Sequence, residues 1–171
     1  AVFRTVTGPF AAVILDARRE RALLAVDRVG IRPLSYALAG DGRLVFGSSA
    51  LAVAEAVAVS GSAGVRLDPQ AVYDYMFLHM VPSPATVYPG VRKVPPAGCV
   101  TLASGRLQEE RYWQPEFPPR TGGDARALGE ELHRLLRIAT QDALDGAGNP
   151  GAFLSGGLDS STVVGMLAQL T

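Results

Sequence analysis

Between Gln114 and Gly123 the chain reads QPEFPPRTGG, and the spacing of apolar residues differs on its two sides. Before this stretch they come in short runs parted by turn signals; behind it they recur every three to four positions. The first pattern suits strands, whose side chains alternate between faces, and the second suits one stripe of a helix. Pro115, Pro118, Pro119 and the paired glycines deny the stretch itself a regular structure. The chain is therefore expected to fold as a sheet-rich unit, a linker, and a helical unit.

In the first unit FAAVILD and RALLAVD are apolar runs parted by the charged turn ARRE, and SYALAGDGRLVFGS holds two runs around GDG, a hairpin signal. SSALAVAEAVAV offers Ser48 or Ser49 as N-cap of a short helix. LDPQAVYDYMFLHM has Asp68 as N-cap with Pro69 in the first helical position. YDYMFL within it reads as core. VPSPATVYPGVRKVPPAG is too rich in proline for helix, and CVTLASGRLQEERYW reads as a closing hairpin turned at Ser104 and Gly105.

Behind the linker, Leu128, Leu132, Leu135, Leu136, Ala139 and Ala143 fall on one face of an amphipathic helix. DGAGNPG turns the chain, AFL reads as a short buried strand, and SSTVVGMLAQL opens another helix. One helix–strand–helix unit cannot bury both faces of a sheet, so an α/β domain beginning here is expected to continue past Thr171.

Sixteen basic residues balance sixteen acidic ones, which leaves no field to attract nucleic acid or an anionic membrane. No apolar run approaches the ~20 residues a bilayer span requires. A single cysteine, Cys99, cannot form an internal disulfide and fits a reducing, cytoplasmic setting. His79, among Phe77, Leu78 and Met80, reads as a packed helix residue. His133 lies beside Leu132 with no second ligand at metal spacing.

The chemistry concentrates in FLSGGLDSSTVVGML. Gly156 and Gly157 let the backbone approach a ligand, and the free amides at the start of the following helix favour phosphate. No lysine follows the glycines, so this is not a Walker loop. A carboxylate at Asp159 makes sense in an anion cradle if Mg²⁺ lies between it and the phosphates; the alternative is that Asp159 caps the helix. Ser155, Ser160 and Ser161 add hydroxyl donors. The string S-G-G-x-D-S-S resembles the pyrophosphate loop of the ATP-pyrophosphatase superfamily.

LLAVDRVGIRPLSYAL, GRLVFGSSALAV, LDPQAVYDYMFLHMVPSPATVYPGVRKVPPAG and ERYWQPEF, followed by FLSGGLDSSTVVGML, resemble in order and spacing the middle of the glutamine-hydrolysing asparagine synthetase family. The resemblance implies an α+β chain: a partial four-layer αββα N-terminal-nucleophile sandwich, then the beginning of an α/β ATP-pyrophosphatase domain of the adenine nucleotide alpha hydrolase-like kind. It places the end of a type 2 glutamine amidotransferase domain in residues 1–117, a linker in 118–124, and the start of the ATP-binding synthetase domain in 125–171. It further implies an ATP- and Mg²⁺-dependent ligase making asparagine from aspartate and glutamine through an aspartyl adenylate. Its small-molecule partners would be glutamine and aspartate or another carboxylate acceptor, and a homodimer is open for the full-length protein.

Carried over position by position, the resemblance makes Asp27 the partner of the glutamine ammonium; capping of the turn before Gly30 is the alternative. Leu154, Ser155, Gly156, Gly157, Asp159 and Ser160 become the ATP and pyrophosphate contacts, with Asp159 on the metal. The family's nucleophilic cysteine is expected upstream of Ala1, so no catalytic residue is assigned here and this chain alone is expected to be inactive. Cys99 reads as a small buried side chain. Ser49 stands where the family usually has Glu, and Val26 where it usually has arginine. Two alternatives stay open: a related amide- or macrolactam-forming synthetase with a degenerate glutaminase domain, and a non-catalytic domain that keeps the fold.

Overall fold

Asp16 turns the first hairpin. Its Oδ1 accepts the amides of Arg18 and Arg19, both at 3.1 Å, which folds ARRE back on itself. Strand β1 (Ala11–Asp16) thus runs antiparallel to β2 (Arg21–Val26), with Ala11 opposite Val26 and Asp16 opposite Arg21. The computed structural model describes residues 2–58, 64–119 and 122–171.

GDG reverses the chain between β3 (Ser35–Leu38) and β4 (Leu44–Gly47), which pair antiparallel. Helix α1 (Ala50–Ala58) follows, with Ser49 Oγ accepting from the Ala52 amide at 3.3 Å. Helix α2 (Pro69–Leu78) is capped by Asp68, whose side chain accepts from the Gln70 amide at 2.9 Å, and Pro69 occupies its first turn. The proline-rich stretch contributes only β5 (Arg92–Lys93). Strands β6 (Gly98–Ala103) and β7 (Arg106–Arg111) close a hairpin at Ser104 and Gly105. Both turn residues have positive φ, 49° and 72°, as a two-residue type I′ turn requires.

These strands form two antiparallel sheets, β1-β2-β6-β7 and β4-β3-β5. The alternation along β2 explains how they stack. Ala22, Leu24 and Val26 point into a core shared with Val100 of β6 and with Leu34, Tyr36 and Val94 from the other sheet. Ala25, between them, points out and meets Ala97, Cys99 and Tyr112, with Phe3, Phe10 and Trp113 packed behind. On the far side of the three-stranded sheet, Val53 and Ala54 of α1 pack on Ala37 and Val91. Within the first unit, α1 and the two sheets therefore stack as helix, sheet and sheet. One polar bridge fastens the two sheets: the buried Tyr36 hydroxyl donates to Glu109 of β7 at 2.6 Å, and Arg92 of β5 donates to the same carboxylate at 3.0 Å. Burial, reinforced by the Glu109 hydrogen bond, pushes the Tyr36 phenol up to about 12.

Three expectations need correction. YDYMFL is not core: of α2 only Ala71 is buried, while Phe77 is 74% exposed and Tyr73 and Met76 lie open beside it. Its sequence is apolar on more than one face, and among the described residues only the face carrying Ala71 is covered. His79 is likewise exposed rather than packed. It ends α2 in the left-handed conformation at φ 56°, donating its amide to the Tyr75 carbonyl at 2.8 Å, a common way for a helix to stop. Third, AFL forms no strand, because a strand needs neighbouring strands to take its backbone hydrogen bonds and the described part of residues 117–171 contains none.

By internal contacts the chain divides into Ala1–Glu116 and Phe117–Thr171. The second unit is α3 (Ala125–Leu144), capped by Asp124 through the Arg126 amide at 3.0 Å, and α4 (Leu158–Leu170), packed on α3. Among the described residues of this unit only Met166 is buried; Leu128, Leu132 and Leu135 on the apolar face of α3 remain exposed. Among the described residues no helix is long and apolar enough to cross a membrane.

Candidate functional sites

Asp27 follows β2 directly and is 2% exposed. Its two oxygens hold a loop together. Oδ1 accepts the amides of Val29 at 3.2 Å and Ile31 at 2.9 Å, and Oδ2 accepts those of Arg32 at 3.0 Å and Phe10 at 3.3 Å. The Asp27 carbonyl takes the Gly30 amide at 3.1 Å and the Ala97 amide at 2.9 Å. Gly30 is required in this turn twice over: its φ is +72°, and a Cβ there would lie 3.1 Å from the Pro96 ring. Only glycine takes that conformation without strain. The Asp27 carboxylate thereby ties the start of β1 to the loop after β2, and its main-chain carbonyl ties in the residue before β6.

Burial pushes the Asp27 carboxyl upward, but the amides of Arg32, Ile31, Val29 and Phe10 outweigh it and hold the group below the usual carboxylate range. An ionised carboxylate offers about four lone-pair directions, and four backbone donors take them. In this conformation none is left for an ammonium, so the visible work of Asp27 is the turn-capping one.

The surrounding residues were not singled out in the sequence. Tyr112 sends its hydroxyl to the Val26 carbonyl at 2.7 Å, and its own carbonyl accepts from Arg4 Nε at 2.9 Å. Arg28 lies over the Trp113 ring, 5.6 Å from its centroid, and donates to the Arg4 carbonyl at 2.9 Å. A guanidinium so placed is attracted by the negative face of the indole. Two aromatics at a strand end, as in ERYW, were the available signal. Val26 is core and Ser49 a helix cap, so neither offers the charge its family counterpart would. Cys99 is buried, and burial together with the Glu110 charge pushes its thiol up, away from the thiolate a nucleophile needs.

The second site lies at the start of α4. Gly156 turns the chain with φ +77°, and Gly157 is the N-cap without a side-chain cap bond. The serines shape the loop: Ser155 Oγ and Ser160 Oγ are 2.8 Å apart, Ser160 Oγ accepts the Ser155 amide at 3.2 Å, and Ser155 Oγ accepts the Gly157 amide at 3.4 Å. Among the described residues the amides of Leu158, Asp159 and Ser160 have no acceptor; the first α4 amide to find one is Ser161, on the Gly157 carbonyl at 3.1 Å. Such orphan donors are what every helix start leaves behind. Ser155, Gly156, Gly157, Asp159 and Ser160 are thus brought into one short turn, open to solvent. Leu154 enters it 66% exposed. Asp159 stands in the first helical turn, and its side chain caps nothing among the described residues.

This donor set suits a phosphate chain, because three free amides converge at a helix N-terminus. Among the described residues no three of His, Cys, Asp and Glu gather as a metal site. A lone carboxylate fits Mg²⁺ only where phosphates and water complete the coordination shell, which is the usual way that ion is held.

The glutamine amidotransferase domain family matches residues 1–113, and the asparagine synthase family matches residues 131–171. A Methanocaldococcus jannaschii protein named "Putative asparagine synthetase (glutamine-hydrolyzing) 2" is 30% identical over 167 residues, covering 96% of this chain and 32% of its own length. A Penicillium rubens protein named "Amidase chyE" is 29% identical over 168 residues, 95% of this chain and 24% of its own. A Bacillus subtilis protein named "Asparagine synthetase (glutamine-hydrolyzing) 1" is 29% identical over 169 residues, 95% of this chain and 25% of its own. The chain spans between about a quarter and a third of the length of these relatives. With two antiparallel sheets stacked over residues 11–111 and a match across residues 1–113, the chain belongs to the glutamine amidotransferase domain family, with an asparagine synthase segment following in the same polypeptide.

Proposed function

We propose that this chain is part of an ATP-dependent, amide-forming ligase of the asparagine synthetase type, in which the first unit serves glutamine hydrolysis and the second opens the nucleotide site. The observation that carries the reading is the Ser155–Ser160 turn, with three acceptor-free amides and one carboxylate at the N-terminus of α4. Leu158, Asp159 and Ser160 would donate their amides to the pyrophosphate portion of ATP, while Ser155 and Ser160 keep the turn open. Asp159 would hold Mg²⁺, which supplies charge neutralisation for the departing phosphates. Gly156 supports this role through a positive φ that permits the turn.

Asp27 serves the glutamine side indirectly, by shaping the loop that runs to Arg32. With aspartate as acceptor the route passes through an aspartyl adenylate and yields asparagine. The acceptor is the least constrained element, because a relative named as an amidase and one named as an asparagine synthetase match this chain at the same 29% identity. A related amide-forming synthetase is therefore the second reading.

The test is Asp159→Asn in the full-length enzyme, followed by ATP–pyrophosphate exchange across a Mg²⁺ titration. Asp159 is exposed in the first turn of α4 and caps nothing among the described residues, so the substitution removes only its interaction with the helix dipole and stability should change by less than ~1 kcal/mol. Exchange should fall steeply and demand more Mg²⁺. Exchange kinetics equal to wild type would remove the metal role from Asp159.

A further inference from the structure

We propose that Arg28 and Arg111, flanking Trp113, form a binding site for an organic oxyanion with an apolar body, beside the Asp27 loop and distinct from the turn at the start of α4. The two arginines share a cavity of about 350 Å³ floored by Pro96, Ala97 and Pro115, with Trp113 in its wall. No carboxylate lines it. Among the described residues neither arginine has an ion-pair partner, although the chain as a whole has as many acidic as basic groups.

The Arg28 guanidinium is held in place before any ligand arrives. It lies over the Trp113 ring and donates through one Nη2 hydrogen to the Arg4 carbonyl. That leaves most of its five donors unused, and its Nε is buried without an acceptor. Arg111, the last residue of β7, brings a second guanidinium to the same cavity, and its side chain has no hydrogen-bond acceptor among the described residues. One guanidinium held in place and a second without a partner among the described residues favour a carboxylate or phosphate group, which guanidinium recognises by paired donors. The prolines and Ala97 beneath offer nothing to a hydrated inorganic ion, but they favour a hydrocarbon portion carried by the same ligand.

Trp113 is the only tryptophan of the chain. Besides this cavity it lines a neighbouring one of about 720 Å³ with Arg4, Arg111, Tyr112, Gln114 and Glu116, so a fluorescence change belongs to the proposed site only if Arg28→Gln, which of the two cavities alters this one alone, also weakens it. The chain is titrated with cyclohexanecarboxylate, which pairs a carboxylate with an apolar ring and does not absorb where tryptophan does, and separately with inorganic phosphate. The proposal expects a saturable change with the carboxylate, a weaker response to phosphate, and a loss of affinity of ~10-fold or more in Arg111→Gln, the scale of one charge-assisted hydrogen bond. Arg111→Lys should recover part of it. Arg111 makes no contact with the Asp27 clamp, so this variant separates ligand binding from folding, and circular dichroism verifies that it folds. Absence of a saturable change in the wild type, or an Arg111→Gln variant that titrates like wild type, would overturn the site. Equal affinity for phosphate would overturn the apolar-body part. Because the readout involves neither Asp159 nor glutamine, it stands or falls apart from the ligase reading.

Discussion

The two units of this chain both carry large apolar side chains and bury them very differently. In Ala1–Glu116, Leu24, Tyr36 and Val100 are wholly buried between two sheets, whereas in Phe117–Thr171 Leu132 is 58% exposed and Phe153 98% exposed. The difference lies in partners. Each strand of the first unit has a neighbour to take its backbone bonds and a second sheet to cover its apolar face. Within the second unit, the described helices satisfy their own backbones and cover each other's apolar stripes only in part. A helix can be complete in its hydrogen bonds and still expose the surface that would stabilise it.

Removing the best-buried side chain should break this comparison most visibly. Leu24→Ala is expected to lower stability by about 2–5 kcal/mol, the range for a leucine truncated in a core that cannot close over the gap, measured by urea unfolding. A loss under ~1 kcal/mol would mean that the inter-sheet core is loosely packed.

Asp27 tests whether the first unit depends on polar ties as well as on apolar burial. Asp27→Asn replaces two of four acceptor directions with donors facing donors, and about 2–3 kcal/mol should be lost. The pH dependence has a definite sign. The folded carboxyl lies below its unfolded value of about 4, so its contribution is full above that pH and is lost as pH falls through the lower folded value. The wild type should therefore lose stability steeply on acidification, and the variant should show a flatter acid limb. If Asp27 instead acts chiefly on the glutamine ammonium, Asp27→Asn in the full-length enzyme would weaken glutamine use with stability nearly unchanged.

The smallest effect belongs to the second unit. Leu132→Ser is expected to change unfolding by no more than ~0.5 kcal/mol, as for surface positions generally, while reducing self-association at high concentration as followed by light scattering. A large loss of stability would show that the exposed stripe of α3 is covered in solution.

Much of the local structure was legible in the residues. Asp68 before Pro69 fixed the start of α2, Asp124 the start of α3, and the Ser104–Gly105 pair the turn between β6 and β7, because caps and tight turns are decided by neighbours in sequence. The glycines and serines of residues 155–160 likewise announced a turn before α4, for the same reason. What the sequence could not declare was whether an apolar run has anything to pack on. AFL and YDYMFL read as buried from composition, yet one lies open without strand neighbours and the other faces outward along α2. Nor could it show that Asp27 would spend its lone pairs on amides as far away as Phe10, or that Arg28 would meet Trp113 from the opposite end of the first unit's sequence. Local backbone preference was set by the sequence alone; burial and the partners of each charge were set by the stacking of the sheets, since both depend on residues that only the tertiary fold brings near.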